Sequence, residues 1–194
     1  GRVLDSAIGI PVIPNLTAGY VRRFDHEFDN FARTIEIASE VIGGTYEPEL
    51  GLGEYKVLED VSEVEALLLR FKDEGDDVSF DTETGSLSPF DTKHPQLLCL
   101  SFSNKEGEGF VVPFDHADFE WEPTRKVELI KVLTTFFADA SIPKIAQNEK
   151  FDRKHIFHAL GVYPTNVADT MLIHFTLDES RGTHGLKVLA HKYT

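Results

Sequence analysis

Hydrophobic periodicity divides the chain at a stretch that has none. Residues 44–54 are rich in glycine and glutamate and lack any apolar repeat, which reads as a linker between an upstream piece, 1–43, and a second unit, 55–194. Upstream, 10–14 predicts a short strand, and apolar residues at Phe28, Phe31, Ile35, Ala38 and Ile42 predict a helix over 27–42. Downstream, 55–58 predicts an edge strand. Ser62 followed by Glu65 fits a capping box opening a helix through Leu67, Leu68, Leu69 and Phe71.

Residues 77–81 alternate as a strand does and stop at a turn around Gly85. Strands over 96–103 and 109–113 are joined by the turn-forming 104–107 as a hairpin. A helix over 123–138 carries Val127, Ile130, Leu133, Phe136 and Phe137. A short strand at 143–146 follows, then a helix over 149–160 ending at Gly161, and further helices over 169–177 and 186–193. Strands that begin antiparallel and then alternate with helices imply an α/β fold, a mixed sheet with helices on its faces.

Composition narrows the function classes. No apolar run approaches the roughly 20 residues of a membrane span, and the first residues lack the pattern of a signal peptide, so a cytoplasmic protein is expected. The only methionine is Met171, and the chain reads as a piece of something longer. Cys99 sits in an apolar run and reads as a small packed hydrophobe. The formal net charge of −14 is spread over both halves. A protein that grips nucleic acid through phosphates needs a basic surface, so this one would borrow cations, as bound metal ions or from a neighbouring domain.

Two segments carry chemistry. Asp81 and Glu83 end a hydrophobic strand at positions i and i+2, which puts both carboxylates on one face. Like charges so placed repel unless a cation such as Mg²⁺ or Mn²⁺ neutralises them, although a bare Asp-x-Glu also suits an ordinary polar strand end. Asn148 and Asp152 open the helix after the strand at 143–146, Asn148 suiting an N-cap and Asp152 lying one turn on. If Asp81, Glu83 and Asp152 meet at the sheet end, they form an oxygen-rich site for two hard cations, suited to phosphodiester hydrolysis.

The segments Asp81-Thr-Glu-Thr-Gly-Ser-Leu87 and Gln147-Asn-Glu-Lys-Phe-Asp-Arg153 resemble the first two motifs of the DEDD superfamily of 3′–5′ exonucleases, in particular the proofreading domain of polymerase I-like (family A) DNA polymerases. The resemblance continues through Ala168-Asp-Thr-Met-Leu172 and His184-Gly-Leu-Lys-Val-Leu-Ala190 and covers about 55–194. It implies a ribonuclease H-like fold and a site of two Mg²⁺ or Mn²⁺ ions. By the same resemblance, Asp81 would bridge both metals, Glu83 would bind one and orient the attacking water, and Asp152 would hold the other. Thr82, Leu87, Asn148 and Phe151 would contact the DNA 3′ end, with Leu87 as a wedge, and a polymerase domain of the same longer chain would be the partner. The family's third motif is expected beyond Thr194. Asp169 matches a non-catalytic position, with a helix cap as its expected role, and His184 and Tyr193 read as structural or surface residues.

Residues 9–40 are similar, more weakly, to the last strand, loop and helix of uracil-DNA glycosylase-like domains. Thr17-Ala18 stands where that family carries a His-Pro pair, so glycosylase chemistry is not expected. Two other readings of the main unit remain: a ribonuclease D-like RNA trimmer, and a non-catalytic scaffold that positions primer-template DNA. Lys150, Arg153, Lys154 and Arg181 read as a solvated cationic face.

Overall fold

A computed structural model describes residues 12–24, 27–46, 53–91, 93–94 and 96–193. It divides into two compact units, Gly1–Leu52 and Gly53–Thr194. In the first unit, α1 (Ala18–Val21) is opened by Thr17, whose hydroxyl accepts from the Tyr20 N–H at 3.2 Å. Thr17 thus has a structural task at the position where the glycosylase-like pattern has its His-Pro pair. Of the strand expected at 10–14, residues 10 and 11 lie outside the described residues; Val12 is a single bridge residue and 13–14 are not in a strand, so no strand forms over the described part.

The helix expected over 27–42 is α2 (Phe28–Gly43), closed by Gly44 at φ 69°. Its buried line differs from the expected one. Thr34 and Ile37 are buried, whereas Phe28, Ile35 and Ile42 are exposed. Two interleaved apolar sets ran along this helix, and spacing could not say which would find a partner.

The second unit is a six-stranded mixed sheet in the order β1-β4-β3-β2-β5-β6, where β1 is Glu54–Val57, β2 Val78–Glu83, β3 Cys99–Ser103, β4 Glu108–Pro113, β5 Lys144–Ala146 and β6 Val167–Asp169. The hairpin pairs β3 with β4 antiparallel, β2 is antiparallel to β3, and β1, β5 and β6 join in parallel to β4, β2 and β5. The strand expected from 96 begins only at Cys99. Three helices pack their apolar residues with those of the sheet to form the core: α3 (Val61–Glu74), α4 (Pro123–Ala138) and α5 (Glu149–Leu160). Two further helices, α6 (Thr170–Leu177) and α7 (Leu186–Tyr193), complete the unit.

Asp60 caps α3, and the Ser62/Glu65 capping box does not form. In extended conformation, Asp60 accepts from the Ser62 N–H at 2.7 Å and from the Ser62 hydroxyl, so the serine becomes a donor inside the first turn.

The core pins β2 in place. Phe80 meets Phe137 edge-to-face at 5.3 Å, Phe102 meets Phe136 at 5.6 Å, and Phe136 meets Phe137 at 5.2 Å. Each such pair contributes roughly 0.5–1.5 kcal/mol beyond its area burial. The strand that carries the first two acids is therefore anchored through its alternate residues.

Candidate active site

Along β2, Val78, Phe80 and Thr82 are buried while Ser79, Asp81 and Glu83 are exposed, so the two acids share the face turned away from the phenylalanine core. In the neighbouring β3, Ser101 stands opposite Asp81 and Cys99 opposite Glu83. A groove of about 620 Å³ runs over this face, with Tyr55, Ser79, Asp81, Ser101, Gln147 and Leu186 in its lining. Cys99 is held in its thiol form: burial raises its pKa, and the charges of Glu83 and Asp81 raise it further.

Asp152 approaches from α5. The residue is 2% exposed, and its Oδ1 accepts two hydrogen bonds from Thr82, one from the hydroxyl at 2.6 Å and one from the backbone N–H at 3.2 Å. Thr82 was expected to contact substrate. It is 6% exposed and faces the core because strand alternation sends it opposite to its acidic neighbours, so its hydroxyl is committed to Asp152. The two motif segments are joined by this residue.

Burial pushes the Asp152 carboxyl up to about 6; the Thr82 hydrogen bonds oppose that shift and the charge of Asp81 adds to it. The Asp81 carboxyl lies at the open face, yet the groove walls desolvate it enough to raise its pKa too, against a hydrogen bond from the Thr82 backbone. Among the described residues, no three His, Cys, Asp or Glu side chains close on one point as a ready-made metal site. The donors at hand are nevertheless the hard carboxylate oxygens that Mg²⁺ and Mn²⁺ prefer, and two acids with raised pKa values within reach of each other's charge are what a cation relieves.

The expected nucleotide-contacting residues flank the acids differently. Leu87 is 89% exposed on the loop after β2. Phe151 is half-buried, its ring 4.6 Å from that of His155. Asn148 sits between β5 and α5 at φ 60°, a left-handed conformation that asparagine tolerates, and its side chain makes no cap bond. The cap of α5 is Asp169, whose Oδ1 accepts from the Asn148 N–H at 3.0 Å and Oδ2 from the Glu149 N–H at 2.9 Å. Asp169 also caps α6, accepting from the Met171 N–H at 2.9 Å. Its carboxylate is thus spent on two helix starts.

His184 has a structural place, its carbonyl accepting from Gln147 Nε2 at 2.7 Å. Arg153 is paired with Glu149 at 2.5 Å. The links that sequence reasoning missed, Thr82 to Asp152 and Asp169 to the start of α5, join segments separated by many residues, and spacing within either segment does not name the partner.

Residues 55–194 match a family model described as 3′–5′ exonuclease. The DNA polymerase of Escherichia phage T5 is 30% identical over 171 residues, an overlap that takes in 84% of this chain and 19% of that protein. That overlap exceeds 55–194 and so reaches into the upstream piece. DNA polymerase I of Pseudomonas aeruginosa is 31% identical over 143 residues, 72% of this chain and 15% of that protein. The chain therefore spans about a fifth or less of the length of these relatives.

Among solved structures, a nuclease in its apo form aligns with a TM-score of 0.52 at 26% identity, over 70% of this chain and 57% of that one. Escherichia coli RNase D aligns with a TM-score of 0.55 at 16% identity, over 73% and 33%. The latter likeness shows the fold, a ribonuclease H-like mixed sheet with flanking helices. With the family match covering most of the chain and both motif segments inside it, this chain belongs to the 3′–5′ exonuclease family carried by family A DNA polymerases.

Proposed function

We propose that this unit hydrolyses 3′-terminal nucleotides from DNA with Mg²⁺ or Mn²⁺, releasing nucleoside monophosphates, as the proofreading part of a longer polymerase chain. One observation carries the reading: a buried carboxylate, Asp152, is tied by Thr82 to the strand that presents Asp81 and Glu83. Nothing in a merely structural helix–strand contact calls for an acid there, since burying it is costly.

Asp81, Glu83 and Asp152 would hold the cations. When bound, these supply a lowered pKa for a water molecule, polarisation of the scissile phosphate and charge stabilisation at the departing 3′ oxygen. The chain's own work is placement. Thr82 fixes Asp152, the β2 ladder fixes the separation of Asp81 and Glu83, and Leu87, Asn148 and Phe151 would hold the terminal nucleotides. Stacking and apolar contacts accept any base, as a proofreader requires.

With a net charge of −14 over its 194 residues, the chain attracts phosphate poorly on its own, so the DNA would be drawn by the bound cations and by the polymerase domain. Among the described residues no helix is long and apolar enough to cross a membrane. Residues 1–43 would be the end of an upstream domain without glycosylase chemistry, and the protein would act in the cytoplasm of a bacterial or phage-infected cell.

The test is hydrolysis of 3′-labelled single-stranded DNA and RNA by the full-length chain, with Mg²⁺ or Mn²⁺, beside Asp81→Ala. Trimming of DNA by the wild type and its loss in the variant support the reading. Preference for RNA would move the substrate to the ribonuclease D-like class, whose fold this chain shares. If neither strand is cut and no divalent cation binds, the unit is a scaffold.

A further inference from the structure

The loop from Thr84 to Gln96 carries two exposed apolar side chains, Leu87 and Phe90, the latter 77% exposed. An isolated exposed ring is ordinary on a protein surface. Phe90 differs in how it is held. Thr84 Oγ1 donates to the Ser86 carbonyl at 2.9 Å. Ser86 Oγ accepts from the Ser88 N–H at 3.1 Å, and Ser88 Oγ from the Phe90 N–H at 3.3 Å. The Asp91 N–H donates to the Ser88 carbonyl at 3.1 Å, and Gln96 Nε2 to the Asp91 carbonyl. Successive serine turns of this kind give residues 84–91 a defined path.

The loop is also docked on α5, the helix of Asp152. His155, fully buried, donates from Nδ1 to the Gln96 carbonyl at 3.0 Å. The Phe90 ring stands edge-to-face on His158, with centroids 5.4 Å apart and planes at 87°. Phe151, His155 and His158 are spaced i, i+4 and i+7, so they follow one side of α5. Phe151 contacts His155 at 4.6 Å. An aromatic row therefore runs from Phe151, next to Asp152, to His158 and Phe90, about 10 Å along the helix at 1.5 Å per residue. In a chain of net charge −14, this loop carries one acid, Asp91, and one lysine, Lys93, and so forms a neutral approach for a phosphate backbone.

We propose that Phe90 is a second stacking platform for single-stranded DNA, receiving a base upstream of the terminal nucleotides held at Leu87 and Phe151. The ring is braced by its perpendicular contact with His158 and is still 77% exposed, which leaves room for a base to stack on it without its sequence being read. Its role would be to select ends that have melted over several nucleotides, since a paired base cannot stack there. This inference rests on the exonuclease reading.

The experiment measures binding of 5′-labelled oligothymidylate to the full-length chain in Ca²⁺, which is expected to support binding without hydrolysis, by fluorescence anisotropy. Wild type, Phe90→Ala, Phe90→Trp and Leu87→Ala are compared, with thermal melts to confirm folding. Phe90→Ala is expected to weaken binding about 5- to 150-fold, the worth of one stacked base, with Phe90→Trp retaining affinity. An abasic site moved stepwise upstream from the 3′ end should cost the wild type most at one position and cost Phe90→Ala nothing there. Binding of Phe90→Ala within twofold of wild type, while Leu87→Ala is weakened, overturns the proposal and leaves the exonuclease reading standing. Failure of the wild type itself to bind any single strand overturns both.

Discussion

Replacing Asp152 with asparagine removes a charge that the fold holds out of water. Its pKa of about 6 against an ordinary 3.8 is a rise of about 2 units, at roughly 1.4 kcal/mol each, so the ionised carboxylate costs the folded state about 3 kcal/mol at neutral pH. The sign follows from proton binding. The folded chain holds this proton more tightly than the unfolded chain, so the associated stability is fully present below pH 3.8 and is lost as pH rises through about 6. The Asp152→Asn variant has no such proton to lose. Its amide oxygen can still accept from Thr82, and its amide nitrogen can donate towards the Asp81 carboxylate if the two approach.

Wild type and variant should therefore differ little in stability near pH 4, and the variant should gain about 1–3 kcal/mol by pH 7.5. At about 2–4 °C per kcal/mol for a chain of this size, its Tm should rise by roughly 2–12 °C. The measurement is thermal or urea unfolding of both proteins from pH 4 to 8 in EDTA, because a divalent cation bound only to the native wild type would offset the difference. The same variant should lose hydrolysis. A difference that stays constant with pH, or a variant less stable at every pH, refutes the assignment of Asp152 as a carboxylate held at a cost for function.

Two other substitutions separate placement from ligation. Thr82→Val keeps the shape and removes the 2.6 Å hydrogen bond to Asp152, so hydrolysis should fall about tenfold or more and the Mn²⁺ concentration for half-maximal rate should rise, with Thr82→Ser restoring both. Asp169→Ala removes the caps of α5 and α6 together and should cost about 1–4 kcal/mol in urea unfolding, while the Mn²⁺ requirement of the remaining folded protein stays as in wild type.

What was legible in the sequence is what depends on near neighbours. The parity of Asp81 and Glu83, the hairpin of β3 and β4, the bounds of α4 and the Gly161 stop of α5, at φ 72°, follow from spacing and backbone preference within a few residues. What was missed depends on a segment returning from far away. Asn148 met the local requirement of an N-cap, yet the cap came from Asp169, 21 residues on. That in turn exists because Val167–Asp169 forms β6, a strand of three residues, too short to show alternation and formed because β5 offered a parallel edge.

The link from Thr82 to Asp152 spans 70 residues, but half of it was already implied by parity. If Asp81 and Glu83 share the exposed face of β2, the residue between them must face the core, where a helix has to pack. A threonine there buries a hydroxyl that needs an acceptor, and the packed helix supplies one in Asp152. An Asp-Thr-Glu triplet thus carries two signals on its two faces, the acids proposed to hold the cations and the hydroxyl that fixes Asp152. The site is assembled across the sheet, through the thickness of a single strand.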